Sequence, residues 1–349
     1  MRSIYKFGGS SIKCAATIKQ IADLIIKCPN NCLVVLSATY NSTNELEEIF
    51  ETSSLDLVKA FFNKHQVIID ELETSTDLSD FQSELESYLK NEKTKSVLDS
   101  VYSIGERVST RILSDYLQKR EVHNHLADAR DYITTNRNFN EAKVLFKNTK
   151  DKCHPLNEKE LIITQGFIAK TLSGETSTLG REGSDYSAAI FAWALDDVRE
   201  LVIWKDVKGI YGHDPKLLDS APLIPNLSYR QTKLLTNKGA KILFHRTMNP
   251  LIEKNLPLIV KSVFFPDESG SCISEGEVAK LKAISTQEID GAKALLTVFG
   301  LDYDQFLVTN EHPYELDENN DDYFSLEVRQ QDLAALINLF GDHLFSSHK

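Results

Sequence analysis

The stretch SIYKFGGSSIKCAATIKQIADLIIKCPNNCLVVLSA, residues 3 to 38, decides the fold class that we predict. Its opening apolar-rich residues stop at Gly8 and Gly9. Residues 11 to 27 then place isoleucine and leucine at helical spacing, and CLVVLSA (32 to 38) is typical of a buried strand. A strand, a glycine turn, a helix and a second strand form a βαβ unit, which predicts an α/β fold with a parallel sheet.

The rest of the chain continues this alternation of strands and helices. Further strands are predicted at LIITQGFIA (161 to 169), ELVIWKDV (200 to 207) and LPLIVKS (256 to 262). Helices are predicted across much of residues 45 to 120, at SDYSAAIFAWAL (184 to 195, with Ser184 as its N-cap) and at YRQTKLLTNKGAKIL (229 to 243). After a Pro/Gly/Ser-rich segment, the tail is predicted to contain strands at 294 to 300, 305 to 310 and 323 to 328, and a helix at 331 to 340.

The bulk composition is that of an ordinary globular protein, with 349 residues, 42% hydrophobic and 26% charged. A net charge of -12 argues against a nucleic-acid or anionic-membrane surface. No stretch approaches ~18 consecutive apolar residues, and no apolar segment follows Arg2 as in a secretory signal. The scattered cysteines complete no zinc site, which favours reduced thiols. We therefore expect a cytoplasmic protein that binds neither nucleic acid nor membrane.

The motif KFGGSS, residues 6 to 11, follows the first predicted strand, and open α/β sheets bind ligands beyond the carboxyl ends of their strands. Gly8 and Gly9 would let backbone amides approach a phosphate, and Lys6 adds a positive charge beside them. The alternative is that the two glycines only form a turn.

The motif SATYNSTNEL, residues 37 to 46, follows the second predicted strand. Its polar side chains could hydrogen-bond a substrate, and the residues concerned are Ser37, Ser42, Thr43 and Asn44. The alternative is a polar loop that caps a helix beginning near Asn44.

The motif SIGERVSTRIL, residues 103 to 113, places Glu106 beside Gly105 at the predicted start of an apolar helix. The carboxylate could interact with the helix dipole, or it could bind the ammonium group of a substrate. These two interpretations stay open.

The segments WKDVKGIYGHDPK (204 to 216) and KGAKIL (238 to 243) form the last motif. Asp206 and Tyr211 in a glycine-containing turn suit a nucleoside, and Lys241 suits phosphates. The alternative is an acidic turn and a solvated lysine.

Taken together, the motifs supply cations, carboxylates and glycines, which suits phosphoryl transfer because that chemistry needs mainly positioning and charge neutralisation. No Walker-type GxxxxGK[ST] motif occurs, so a different nucleotide-binding architecture is predicted.

The order of these motifs, together with TQGFIA and TLGREGSDYSAA (178 to 189), resembles that of the aspartate kinases in the amino-acid kinase family. The resemblance covers residues 3 to about 275. It implies a three-layer αβα sandwich with a mainly parallel central sheet, which forms a catalytic domain at residues 1–275. Residues 276–349 would form a small ACT-like α+β unit, reduced or partial because the remaining length fits at most one such module.

The resemblance also implies the substrates L-aspartate and ATP, with Mg²⁺ carried by the ATP oxygens and no metal site made by the protein. The implied catalytic residues are Lys6, Asp185 and Lys241. The implied substrate-binding residues are Ser37, Thr43, Glu106 and Arg181. The implied nucleotide-binding residues are Gly8, Gly9, Ser10, Asp206, Tyr211, Lys216 and Lys241. We expect the chain to form a homodimer.

Several positions depart from the family pattern. Glycines are usual where Asn41 and Glu182 stand, threonine where Lys205 stands, and arginine where Lys216 stands. The usual His-Pro is here Phe244-His245. These departures leave two alternatives open: an enzyme of the same fold with another acceptor, and a catalytically weak paralogue that regulates a partner.

Overall fold

The computed structural model describes residues 1–28, 31–240, 242, 245–304 and 314–345. Its helices are α1 (Ala15–Ile26), α2 (Ser42–Thr52), α3 (Leu55–Leu72), α4 (Ser79–Tyr88), α5 (Lys95–Lys119), α6 (Ala129–Tyr132), α7 (Phe146–Cys153), α8 (Gly183–Ala194), α9 (Tyr229–Asn237), α10 (His245–Glu253) and α11 (Leu333–Phe345). Its strands are β1 (Arg2–Phe7), β2 (Cys32–Leu36), β3 (His125–Ala127), β4 (Thr134–Thr135), β5 (Leu161–Gln165), β6 (Ile168–Thr171), β7 (Thr176–Thr178), β8 (Val198–Lys205), β9 (Asn226–Ser228), β10 (Leu258–Ser262), β11 (Ser271–Ser274), β12 (Ala283–Asp290), β13 (Lys293–Phe299), β14 (Glu315–Asn319) and β15 (Tyr323–Arg329).

The chain divides into two compact units. The first comprises residues 1–206 and 246–268, and the second comprises residues 207–245 and 269–349. The first unit contains a parallel sheet in the order β3-β5-β2-β1-β8-β10. The βαβ prediction is therefore confirmed, because β1 and β2 pair in parallel on either side of α1 in the chain.

Helices cover both faces of this sheet. Successive side chains of a strand point to opposite faces. Tyr5, Phe7 and Val34 pack with α1 to α5 in one apolar core. The alternate residues Ile4 and Leu33 are also fully buried, and α8 contacts β1 and β8. The three-layer αβα arrangement is confirmed.

Helix α8 is apolar almost all round, and every one of its residues is buried. A helix of this composition is stable only inside a protein, because it has no polar face to turn to water. Its burial fixes the position of its first turn.

Among the described helices, none is both long enough and apolar enough to span a membrane.

The predicted strand at 161 to 169 is wrong, because this segment is divided between two sheets. β5 belongs to the large parallel sheet, whereas β6 pairs with β4 and β7 in a three-stranded sheet. The chain turns at Phe167, whose φ is 68°, and any Cβ on Gly166 would lie 2.5 Å from the Cβ of Ser184. The break therefore places the end of β5 directly against the first turn of α8.

The second unit contains an antiparallel sheet in the order β12-β13-β15-β14. α11 packs on β12 and β13, and apolar residues such as Leu296, Phe324 and Phe340 form a core between them. A large mainly parallel sheet and a separate antiparallel sheet agree with the predicted fold class. The predicted strand at 305 to 310 lies outside the described residues.

Residues 207–245 belong to this second unit rather than to the first. The His213 ring donates from Nδ1 to the Ile284 carbonyl at 3.0 Å, and the Ser285 hydroxyl donates to the Lys238 carbonyl at 2.7 Å. The two compact units therefore do not meet at residue 275. The predicted division into a catalytic domain and an ACT-like domain at that residue stays a prediction. The predicted helix 229 to 243 ends earlier, at Asn237, because the chain turns at Gly239 with a φ of 95°.

Candidate active site

A cavity of about 870 Å³ opens in the first unit, where β1, β2 and β8 end. It lies beyond the carboxyl ends of parallel strands, where open α/β sheets bind ligands. The predicted site residues that line it are Lys6, Gly8, Gly9, Ser10, Ser37, Thr43, Glu106, Arg181, Asp185 and Asp206. Residues far apart in the chain are therefore brought to one place.

Two predicted nucleotide-binding residues, Tyr211 and Lys216, do not line this cavity. Tyr211 and Lys216 belong to the second unit, where Tyr211 forms a β-bridge with Leu223 and Lys216 is exposed. Lys241 lies outside the described residues.

A buried ion pair joins β1 to the first turn of α8. Lys6 Nζ lies 2.7 Å from Asp185 Oδ1, and the two side chains are only 11% and 5% exposed. Either charge alone would be expensive to bury, so each depends on the other. The position of Asp185 near the helix N-terminus is also favourable for a negative charge.

Gly8 and Gly9 keep the space beside this pair open. A Cβ on Gly8 would lie 3.1 Å from Lys6 Nζ, and a Cβ on Gly9 would lie 3.0 Å from the Ala38 carbonyl oxygen. A larger residue at either position would therefore crowd the ammonium group or the neighbouring loop. The contact of these backbone amides with a phosphate stays a prediction.

Glu106 lies on the cavity wall in the middle of α5, and it is only 3% exposed. The helix-dipole interpretation is wrong, because the dipole acts within the first turn of a helix. Burial raises the pKa of the Glu106 carboxyl to about 8, although a hydrogen bond from the Ala38 backbone partly offsets this. Among the residues that the structure describes, no salt bridge involves Glu106, so a substrate ammonium could supply the cationic partner of this carboxyl group.

The serine loop between β2 and α2 forms another wall of the cavity. Its backbone is held by Ser109, whose hydroxyl donates to the Ser37 carbonyl at 2.8 Å. α2 begins at Ser42, slightly before the predicted start near Asn44, so Thr43 lies in its first turn. The loop thus both precedes a helix and faces the cavity.

Arg181 and Glu182 are exposed at the rim of the cavity. Glu182, not Ser184, is the N-cap of α8, and it has a left-handed backbone with a φ of 51°. Its carbonyl accepts the amides of Asp185 at 3.1 Å and Tyr186 at 3.2 Å. Within the described ranges, no salt bridge involves Arg181, so its guanidinium can face a ligand.

Asp99 supports the wall of the cavity without lining it, and the sequence motifs missed this residue. It is fully buried on α5 and accepts four hydrogen bonds, at 2.6 to 3.0 Å, from the backbone and side chains of Asn140 and Thr178. Both partners line the cavity, and Thr178 leads directly into the turn that carries Arg181. The available signal was spacing, since Asp99 is seven residues before Glu106 and shares its helix face.

A sequence model of the amino acid kinase family matches residues 1–262. The chain belongs to this family.

Members of the family that resemble this chain include several aspartokinases. An aspartokinase of Chlamydia pneumoniae is 32% identical over 297 residues, which cover 82% of this chain and 67% of that protein. The chloroplastic bifunctional aspartokinase/homoserine dehydrogenase 2 of Arabidopsis thaliana is 30% identical over 79% of this chain. The chain spans only 32% of the length of that plant relative.

A solved structure of the family also superimposes well on this chain. Aspartokinase III of E. coli, in complex with aspartate and ADP, has a TM-score of 0.76 and 26% sequence identity. The superposition covers 95% of this chain and 79% of that chain.

Proposed function

We propose that the chain is an aspartate kinase, which transfers the γ-phosphoryl group of ATP to the side-chain carboxylate of L-aspartate. The products are 4-phospho-L-aspartate and ADP, and the reaction is the first step toward lysine, threonine and methionine. The observation that carries this proposal is that one cavity contains the Lys6–Asp185 pair beside Gly8 and the buried Glu106. The likeness to aspartokinases, one of them solved with aspartate and ADP, supports it.

In this proposal, the free amino acid is bound by groups of opposite charge. Glu106 pairs with the substrate ammonium. Burial disfavours the ionised form of the Glu106 carboxyl group, and the positive charge of the ammonium stabilises that form. Arg181 binds a substrate carboxylate through two parallel hydrogen bonds. The hydroxyls of Ser37 and Thr43 complete the contacts.

The transfer step needs little covalent chemistry from the protein. An oxygen of the aspartate side chain forms a bond to the γ-phosphorus, the bond from that phosphorus to the bridging oxygen breaks, and its electron pair leaves with ADP. Lys6 and the glycine-turn amides neutralise charge on the transferring group. Asp185 holds Lys6 in place and accepts no proton from the substrate, because the attacking carboxylate is already ionised at pH 7.

The nucleotide contacts are proposed for Ser10, Asp206, Tyr211, Lys216 and Lys241, with Lys241 countering charge on the leaving phosphate.

Within the described ranges, no group of three or more His, Cys, Asp or Glu side chains could hold a metal ion. We propose that Mg²⁺ arrives bound to ATP oxygens and adds positive charge there. We also propose a cytoplasmic homodimer with an ACT-like tail at residues 276–349.

A coupled assay of ADP release tests the function directly. Purified protein is given ATP, Mg²⁺ and one acceptor at a time: L-aspartate, L-glutamate, N-acetylglutamate or UMP. We expect turnover with L-aspartate alone, and Arg181→Leu should raise its KM by about tenfold or more through the lost charge-assisted hydrogen bonds. Folded wild-type protein without aspartate-dependent turnover would contradict the proposal, and turnover with another acceptor would favour the alternative of a different substrate.

A further inference from the structure

His65 lies on α3, and its side chain is fully buried, yet it contacts the wall of the cavity. Its Nε2 atom is 2.8 Å from Thr39 Oγ1, and its Nδ1 atom is 2.8 Å from the Phe61 carbonyl oxygen. Thr39 lines the cavity, whereas His65 does not. His65 is therefore one residue removed from any bound substrate.

The direction of every hydrogen bond around His65 follows from the chemistry of its partners. The Phe61 carbonyl can only accept, so Nδ1 carries the ring proton and donates to it. Burial lowers the pKa of His65 to about 4, so the ring is neutral and Nε2 is an acceptor. Thr39 must therefore use its single hydroxyl proton to donate to His65.

The chain of hydrogen bonds continues to α2 and back to α3. Because the Thr39 proton is already used, Thr39 Oγ1 accepts from the Ser42 hydroxyl at 2.5 Å. Ser42 Oγ in turn accepts from Lys64 Nζ at 3.2 Å. Both hydroxyl side chains, which are almost completely buried, are thus held in one arrangement by two neighbouring residues of α3.

This chain of bonds holds the turn at the edge of the cavity. The Ser42 amide donates to the Thr39 carbonyl at 3.0 Å, and Asn41 between them has a φ of 65°. That is the pattern of a type II turn, with its positive φ at the third residue. The side-chain bond from Ser42 to Thr39 closes the same turn, and Thr43 follows at once. His65 therefore stabilises, through its hydrogen bond with Thr39, the turn that comes directly before Thr43 in the cavity wall.

We propose that His65 is a positioning residue for the acceptor substrate, acting through the Thr39–Ser42 turn. The inference rests on the proposed function, because the acceptor is taken to be L-aspartate. Lys6 and Asp185 come from β1 and α8, which do not take part in this chain of bonds. Loss of His65 should therefore affect acceptor binding much more than phosphoryl transfer.

The test compares steady-state kinetics of variants at His65 and Thr39 in the intact chain. His65→Leu keeps a similar volume but removes both ring nitrogens, so the Thr39 hydroxyl loses its acceptor. We expect the KM for L-aspartate to rise about tenfold or more, with kcat and the KM for ATP changed less than about threefold, because small misplacements of binding groups are costly. His65→Gln should restore most of the affinity, since its amide can both accept from Thr39 and donate.

Thr39→Val removes the other partner of the hydrogen bond between Thr39 and His65. The double variant His65→Leu/Thr39→Val completes a double-mutant cycle. If both residues act through one bond, the double variant should have nearly the KM of the worse single variant, not the product of both effects. Thr149→Val is the matched control, because its buried hydroxyl accepts from the Thr134 amide away from the cavity. It should lower the melting temperature without changing the KM for aspartate.

An unchanged KM for aspartate in folded His65→Leu and Thr39→Val proteins would overturn the inference while leaving the proposed function intact. So would an equal rise in both KM values, or independent effects that multiply in the double variant. Wild-type protein that turns over no aspartate would instead contradict the proposed function itself.

Discussion

Asn41 and Glu182 share one left-handed backbone conformation, with φ values of 65° and 51°, and each is the N-cap of a helix that borders the cavity. These are also the two positions at which the resemblance implies glycine. A left-handed backbone costs an ordinary residue about 1–2 kcal/mol, and asparagine tolerates it better than glutamate. Asn41 is further supported by Asn44, which donates to its side-chain oxygen at 2.9 Å. The departure at Glu182 therefore introduces backbone strain as well as charge.

Glu182→Gly should raise the free energy of unfolding by about 1 kcal/mol, because glycine adopts this conformation without a Cβ clash. Urea unfolding measures the change. Glu182→Ala is the matched control, since it removes the charge but keeps the Cβ, and it should change stability little. Asn41→Gly should gain clearly less than Glu182→Gly. Equal gains for glycine and alanine at 182 would show that charge, not backbone strain, is responsible.

The affinity for L-aspartate should depend on pH through Glu106. Its pKa of about 8 means that the carboxyl is mostly protonated at pH 7 in the free protein, whereas pairing with an ammonium requires the ionised form. The KM for aspartate should therefore fall as the pH rises toward 8, by about tenfold per pH unit below the pKa.

Calorimetry at pH 7 in buffers of different ionisation enthalpy should detect nearly one proton released when aspartate binds. Glu106→Gln should bind aspartate weakly and without proton release. A KM that stays constant between pH 6 and 8 in the wild-type protein would argue against this role for Glu106.

Lys6 and Asp185 should behave as a pair in both stability and catalysis. Lys6→Met leaves a buried carboxylate without its partner, so we expect a loss of about 3 kcal/mol in unfolding free energy, and kcat should fall by about 10²-fold or more. The double variant Lys6→Met/Asp185→Asn should recover part of the stability but none of the activity. A double-mutant cycle by urea unfolding measures the coupling, and additive losses would mean that the two side chains do not stabilise each other.

Asp99→Asn should destabilise the protein by about 1–3 kcal/mol, because one acceptor oxygen becomes an NH₂ group facing donors from Asn140 and Thr178. The same change should raise the KM for aspartate, since Thr178 leads into the turn that carries Arg181. Asp115→Asn is the control on the same helix, where the partner is the more exposed Arg111. If the two variants lose equal stability, the hydrogen bonds that Asp99 accepts from Asn140 and Thr178 stabilise the protein no more than an exposed ion pair does.

Much of the site could be predicted because its residues follow strands in recognisable motifs. Lys6, Gly8, Ser37 and Asp206 each lie at or just after the end of a parallel strand, and such ends meet at one edge of a sheet. The motif predicts the role of Glu106 but not its place in the middle of α5, because Gly105, beside which the helix was predicted to start, lies inside that helix.

Contacts between distant segments could not be predicted. The apolar run at 161 to 169 has the composition of one strand, but the chain turns at Phe167 and Gly166 packs against Ser184, so the run is divided in two. The hydrogen bonds from Asp99 to Thr178 and from Thr39 to His65 join segments with no shared local pattern.

The sequence by itself determined the α/β fold, the parallel sheet and the set of motifs around the cavity, because periodicity and strand-end chemistry are local properties of the chain. Only the tertiary structure decided that Glu106 is buried, that residues 207–245 pack with the tail, and that Glu182 occupies a left-handed N-cap. Burial and backbone conformation depend on what packs against a residue. Segments far away in the chain supply those neighbours.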